Sequence, residues 1–418
     1  MTDVREREFT YDPFGADVMA DPLPFYQILR DQHPAYWLPQ YEAWAISRFQ
    51  DVWDVLSERD GRITTTEGTM LFREQLLMSN GGVVPEPGYD PLQVLSYTES
   101  PIHEEIRQAV GPALRRPAAA RLEAFVRDQA RRRLDELIPQ GRFNVTSDYG
   151  GLVASATMCH LFGIPLDQAA LVRDAVMASA PGAQDLVSQV EYYRRVTDMV
   201  TEVVRGRRAA GADGEYPLVD GLLHYRLRGR PLTDDEISTS VLGTILFGGA
   251  ETLPKVVAHG LMELWRHPDQ RRQVGADPGN CTKAFEEMLR YCAPAQWFTR
   301  TVRHPITIAG QELGAGHRIF PLLMSANRDE REFAEPDQFR WDRTIRRHLA
   351  FGQGQNFCIG THVARLEGRI LLQELMARVP DYEIDADRAE RPPSSFQWGW
   401  RVVPMVVGPD TRAQGLRR

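Results

Sequence analysis

The stretch AFGQGQNFCIG, residues 350–360, gathers three glycines, two phenylalanines and one of the four cysteines of a 418-residue chain. A thiolate is a strong soft ligand. A cysteine just ahead of a helix has backbone N–H groups and the positive end of the helix dipole to favour its ionised form. Cys358 is therefore a candidate metal ligand. Gly352, Gly354 and Gly360 let the backbone turn tightly beneath a flat ligand, and Phe351 and Phe357 can shield the sulfur from water. Glu251 and Thr252, in GGAETLP, put an acid beside a hydroxyl midway along an apolar segment, where Gly248 and Gly249 weaken the helical ladder. Such a pair has the chemistry to deliver protons. Glu287 and Arg290 in FEEMLRY lie three apart, and His103 and Arg107 in SPIHEEIR four apart, so each pair meets on one helical face.

The elements that must hold these residues are mostly helical. In AAARLEAFVRDQARRRLDELI the residues Leu122, Phe125, Val126, Ala130, Leu134 and Leu137 share one face and arginines cover the other, which predicts an amphipathic helix packed on a core. The segment RPLTDDEISTSVLGTILFGGAETLPKVVAHGLMELWRH opens on Thr233 as an N-cap and runs apolar for several turns, predicting a long central helix that carries Glu251 and Thr252. Pro254 removes one further hydrogen bond from it and should deepen its distortion. Strand patterns gather in AYWLPQYEAWAISRF and in ITIAGQELGAGHRIFPLL, the latter a hairpin turning at glycines. GGVVPEPGYDP (81–91) and GRRAAGADGEYP (206–217) read as surface loops.

Composition narrows the function classes. Apolar content of 43%, charged content of 25% and a net charge of −8 describe a globular chain with ample core material, and the acidic balance argues against nucleic-acid binding. Cys159, Cys281, Cys292 and Cys358 form no CxxC pair, so neither a disulfide framework nor a zinc cluster is expected, and the cytoplasm is the expected compartment. The charged N-terminus lacks an apolar leader, and no apolar run reaches spanning length, so no membrane association is expected. No linker or repeat divides the chain, and 1–418 reads as a single domain.

With F-G-x-G-x-x-x-C-x-G followed by ARLE (Ala364–Glu367), the chain resembles the cytochrome P450 family. The resemblance covers nearly the whole length. It implies a mainly α fold with small β-sheets, in which haem b (iron protoporphyrin IX) lies buried between the long central helix and the loop that supplies Cys358 as iron ligand. Glu287 and Arg290 match E-x-x-R, and Arg343 in FRWDR matches the basic residue that completes this structural network. GGAET resembles the oxygen-activation motif, in which the Thr252 hydroxyl donates to reduced dioxygen and the Glu251 carboxylate feeds protons from solvent. Leu253 replaces a threonine often found there. His103, Arg107 and Arg300 match residues that hold the haem propionates. Asn356 stands where the family usually has His or Arg, and it brings no charge.

By motif position the resemblance further implies that Thr244, Phe247, Gly248, Gln296, Phe298, Phe396 and Gln397 face a distal substrate cavity, with Leu95, Met70, Leu71 and Phe72 near its roof. A cavity lined in this way favours a hydrophobic small molecule, such as an aromatic compound, a terpenoid or a natural-product intermediate, with Gln296 or Gln397 to orient a polar group. The implied activity is hydroxylation or oxidative dealkylation by a monomer that uses O2 and electrons from a separate ferredoxin and ferredoxin reductase. Arg115, Arg116, Arg346, Arg347 and Arg365 would form a basic patch for the acidic ferredoxin. The alternatives are a peroxide-driven peroxygenase on the same fold, or a haem-binding protein without turnover.

Overall fold

The computed structural model describes residues 9–71, 73–78, 95–178, 186–240 and 245–408. Eight helices matter most for the site: α1 (Ile102–Val110), α2 (Glu123–Leu137), α3 (Leu152–Phe162), α4 (Ala169–Ala178), α5 (Asp234–Ser240), α6 (Phe247–Arg266), α7 (Asn280–Cys292) and α8 (Thr361–Arg378). In α2 the expected stripe is the buried one: Val126, Ala130, Leu134 and Leu137 are all in the core, with Phe125 packed at its edge. The core is made by α6, α7 and α8 lying against α2 and α3.

The central helix has its expected start and body. At α5, the Glu236 amide donates to Thr233 Oγ1 (3.1 Å) and the Thr233 amide to Glu236 Oε2 (2.8 Å), a reciprocal capping box. Residues 241–244 lie outside the described ones, and one wider turn at 245–246 leads into α6. Pro254 sits inside α6 without ending it. Gly150, in the broad helical turn Val145–Gly151, lies so close that an added Cβ would stand 3.2 Å from Pro254 Cα, so the proline is packed as well as helix-weakening.

Both strand regions form. β1 (Ala35–Leu38) and β2 (Ala43–Ile46) pair antiparallel, and with β3 (Ile63–Thr64), β5 (Arg300–Val302) and β8 (Arg318–Pro321) they make a five-stranded sheet in the order β1-β2-β8-β5-β3. The hairpin is β6 (Ile306–Ile308) with β7 (Gln311–Leu313), turning through Ala309 and Gly310, both at positive φ. A third small sheet joins β4 (Arg142–Asn144), β9 (Glu383–Ile384) and β10 (Pro404–Val406). The loop expected at 206–217 is shorter than the sequence suggests, because helix Leu186–Ala209 runs into it. Arg207, the cation at that helix end, binds Asp220 (2.8 Å) and Glu215 (2.9 Å) and closes the turn. The loop at 81–91 lies outside the described residues.

Candidate active site

The cysteine loop is built from two tight turns. Gly352 (φ +68°) and Gly354 (φ +74°) occupy the left-handed region, and a Cβ on Gly354 would stand 2.0 Å from the Leu56 carbonyl. The Gly352 amide donates to the Leu349 carbonyl and the Cys358 amide to the Phe351 carbonyl, both at 2.9 Å. These bonds fold the chain back on itself and present Cys358 three residues before α8. Phe351 and Phe357 lie edge to face at 6.3 Å beside the loop. An added Cβ on Gly360 would stand 3.9 Å from Cys358 Sγ, an ordinary contact, so the sulfur does not by itself require glycine there.

The Cys358 side chain opens into a cavity of about 700 Å³ whose wall also carries His103, Arg107, Arg115, Gln355 and the exposed Arg59. Enough protein surrounds the sulfur that desolvation pushes the thiol up. The Gly360 amide and the Arg107 and Arg365 charges oppose that shift without overcoming it. This corrects the expectation that the helix end alone favours a thiolate: burial wins, and a bound cation is what would reverse the balance.

Basic side chains with no acid partner among the described residues surround this region. His103 is 1% exposed, and neither ring nitrogen has a hydrogen-bond partner among the described residues. Burial, then the Arg107 charge, lowers its pKa to about 4, against weaker opposition from Glu104 and the neighbouring Asn356. Arg107 forms no ion pair among the described residues, and burial lowers its pKa too. Arg300 is 7% exposed and donates only to the carbonyls of Phe298 (3.2 Å) and Thr299 (2.9 Å); burial alone brings it down to about 10. Buried cations left without carboxylates are costly unless an anion joins them.

On α6, Gly248 and Gly249 meet different surroundings. A Cβ on Gly249 would collide with Met158 Sδ at 2.3 Å, whereas nothing among the described residues lies within 4 Å of one on Gly248. One side of the helix is therefore packed on α3 and the other faces open space. Thr252 Oγ1 donates to the Gly248 carbonyl (3.0 Å), which holds the hydroxyl on the helix where the ladder is weakest. Glu251 pairs with Lys255 at 3.1 Å.

Behind the cysteine, Glu287 and Arg290 are both wholly buried and form two parallel bonds of 2.7 Å. Arg343 Nε reaches Glu287 Oε1 at 3.2 Å, and the Arg340 amide reaches the same oxygen at 3.0 Å. Arg290 also donates to the carbonyls of Asn327 (2.8 Å) and Pro336 (2.9 Å), tying α7 to the segment that leads into the cysteine loop. The three residues singled out in sequence thus form one network.

Several expected contacts are placed elsewhere. Gln296 is 1% exposed, accepting from the Tyr26 hydroxyl (2.7 Å) and donating to the Ser394 carbonyl (2.8 Å), so its amide is already satisfied by protein. Gln397 accepts from Lys255 rather than standing free to orient a substrate. Leu95 and Leu71 are buried in the hydrophobic clusters, and Met70 is among the exposed apolar residues. Phe247 is part-buried against the core, while Phe298 and Phe396 form an edge-to-face pair at 5.1 Å. Thr244 and Phe72 lie outside the described residues. Of the five docking arginines, two are engaged. Arg347 pairs with Glu332 (2.9 Å) and stacks on Phe49 and Trp53, and Arg365 pairs with Glu286 (2.6 Å). Arg115, Arg116 and Arg346 are exposed and have no acid partner among the described residues.

Two groups escaped the sequence reading. Lys255 was visible as the i+4 neighbour of Glu251. Glu367, 1% exposed on α8 with Oε1 unpartnered, has its carboxyl pushed up to about 8 by burial, against a hydrogen bond from Thr157. Its apolar flanks in the sequence were the available signal.

A cysteine thiol, a cavity and basic side chains without acid partners among the described residues are brought together here. Comparison with known proteins agrees. A family model for cytochrome P450 matches residues 281–406. The chain is 31% identical to the putative cytochrome P450 123 of Mycobacterium bovis, over 97% of this chain and 98% of that protein. It is 29% identical to the steroid C26-monooxygenase of Mycolicibacterium smegmatis, over 85% of this chain and 90% of that protein. The solved structure of cytochrome P450 CYP109Q5 from Chondromyces apiculatus superposes with a TM-score of 0.81 at 26% identity, covering 96% of this chain and 98% of that one. The chain belongs to the cytochrome P450 family, haem-thiolate monooxygenases that use O2. The mainly helical fold with small sheets is the fold of that family. Among the described residues no helix is long and apolar enough to cross a membrane.

Proposed function

We propose that the chain, as a single haem domain, hydroxylates or oxidatively dealkylates a hydrophobic small molecule, using O2 and two electrons from a separate ferredoxin and reductase. One observation carries the reading: Cys358 opens into a cavity edged by His103 and Arg107, neither of which has an acid partner of its own. Cys358 would hold the iron of haem b, with His103, Arg107 and Arg300 around its two propionates. Bound there, the haem supplies the dioxygen chemistry, with electron density from the thiolate favouring O–O cleavage.

The rest is done by side chains. His103 has a ring N–H to donate to a carboxylate, and the arginines bring the fixed charge. Asn356 adds a donor and no charge. The space beside Gly248 leaves room for a ligand against α6, and Thr252 has its hydroxyl on that helix to pass a proton that Glu251 draws from solvent. The Phe298–Phe396 pair offers an aromatic wall, which supports an apolar substrate, as does the kinship with a steroid monooxygenase.

The test separates this reading from peroxide-driven catalysis. A compound that shifts the ferric haem from low to high spin is turned over by the parent and by Thr252→Ala, first with ferredoxin, reductase and O2, then with peroxide. The reading predicts that the variant loses product formation in the first case and keeps it in the second. Equal product from parent and variant under O2 would contradict it.

A further inference from the structure

Glu251 and Thr252 are neighbours on α6, so their side chains leave the helix about 100° apart. Thr252 Oγ1 is bonded to Gly248, the glycine with open space beside it. Glu251 instead faces a second, smaller cavity of about 50 Å³ between α6, α4, the 145–151 turn and the 392–401 segment. Thr146, Arg173, Ser394 and Arg401 line it together with the apolar Val176, Met177 and Pro254, and Glu251 is the one carboxylate among the described residues lining it. Its wall is mostly apolar, but the polar groups gathered around Glu251 and this volume suit one or a few ordered waters.

Within that cavity the Glu251 carboxylate is fixed. Lys255 Nζ donates to Glu251 Oε1 at 3.1 Å and also to Gln397 Oε1, so one ammonium bridges helix and loop. Both partners are largely screened from solvent, Lys255 with 14% and Glu251 with 18% of the side chain exposed. The loop presses on the lysine stem: a Cβ on Gly399 would stand 2.8 Å from Lys255 Cβ. The cations that face the cavity from other elements have their own acids, Arg173 with Asp174 (2.6 Å) and Arg401 with Glu390 (2.9 Å), which leaves Lys255 to Glu251.

We propose that Lys255 and Gln397 are positioning residues that latch Glu251 toward this smaller cavity, and that its waters are the entry port for the protons used at Thr252. The carboxylate accepts a proton from water on the port side and releases it on the Thr252 side, so no net charge accumulates on α6. This deepens the oxygen-activation reading of Glu251 and rests on it.

The test uses the haem-loaded protein as parent, Glu251→Gln, Lys255→Met, the double variant, Gln397→Ala and Lys255→Arg. Thermal unfolding should show coupling, the double variant losing less than the sum of the single losses. With electrons from a plant-type [2Fe–2S] ferredoxin and its reductase, Lys255→Met and Gln397→Ala should raise the share of consumed NADPH recovered as hydrogen peroxide, as Glu251→Gln does. Lys255→Arg should restore the parental share. Additive unfolding losses would overturn the latch. So would a parental peroxide share in Lys255→Met when Glu251→Gln raises it. A parental share in Glu251→Gln itself would instead overturn the oxygen-activation reading, and the port with it, whatever the unfolding cycle shows.

Discussion

Glu287 and Arg290 are wholly buried and answer each other with two bonds of 2.7 Å. Removing one partner strands the other charge, so Glu287→Gln should cost about 3–5 kcal/mol in denaturant unfolding and reduce haem uptake. Glu367 makes the opposite case. Its carboxyl holds a proton up to about pH 8 in the folded chain, above the ordinary carboxylate range. Between that range and pH 8 the folded state binds more protons than the unfolded one, so stability falls as pH rises through this window. Glu367→Gln removes that loss. The variant and parent should have matching unfolding midpoints at pH 5, and the variant's advantage should grow toward pH 8 and then level; a constant difference would refute the assignment. Chemistry-bearing residues with a spacing signature were legible in sequence, as Glu287 with Arg290 shows. Gln296 and Gln397 were not, because an amide serves a substrate and a protein carbonyl equally well, and only tertiary contacts decide which it meets.

At the scale of elements, α6 places its chemistry by being packed on one side only. Gly249→Ala would drive a methyl into Met158, whereas Gly248→Ala meets nothing within 4 Å among the described residues. The first should lower the thermal midpoint clearly and the second should not, while the second should weaken binding of spin-shifting compounds by filling space beside the helix. Equal midpoints for the two would contradict the packing described. The same contrast explains what periodicity could reveal. The stripe of α2 and the capping box of α5 follow local rules, and the sequence showed both. The packing of Pro254 on Gly150 joins residues about a hundred positions apart, and no local pattern encodes it.

For the whole molecule, net charge and local charge part company. The chain is acidic at −8, yet Arg59 and Arg115 line the cavity that holds Cys358, and they, like Arg116 and Arg346, are exposed and without acid partners among the described residues. Charge reversal at Arg115 and Arg116 should slow reduction by an acidic ferredoxin, and the loss should shrink as ionic strength rises, because screening already weakens the parent. Arg347→Glu should act on stability instead, since that guanidinium is committed to Glu332 and two aromatic rings. Stopped-flow reduction at two salt concentrations separates these effects. The central claim, that Cys358 binds iron as a thiolate, is tested most directly by the spectrum of the reduced, carbon-monoxide-bound protein. The account predicts a Soret band far to the red of that of a histidine-ligated haem, lost in Cys358→Ala; an unshifted band in the parent, or a shifted one that survives the substitution, would contradict it.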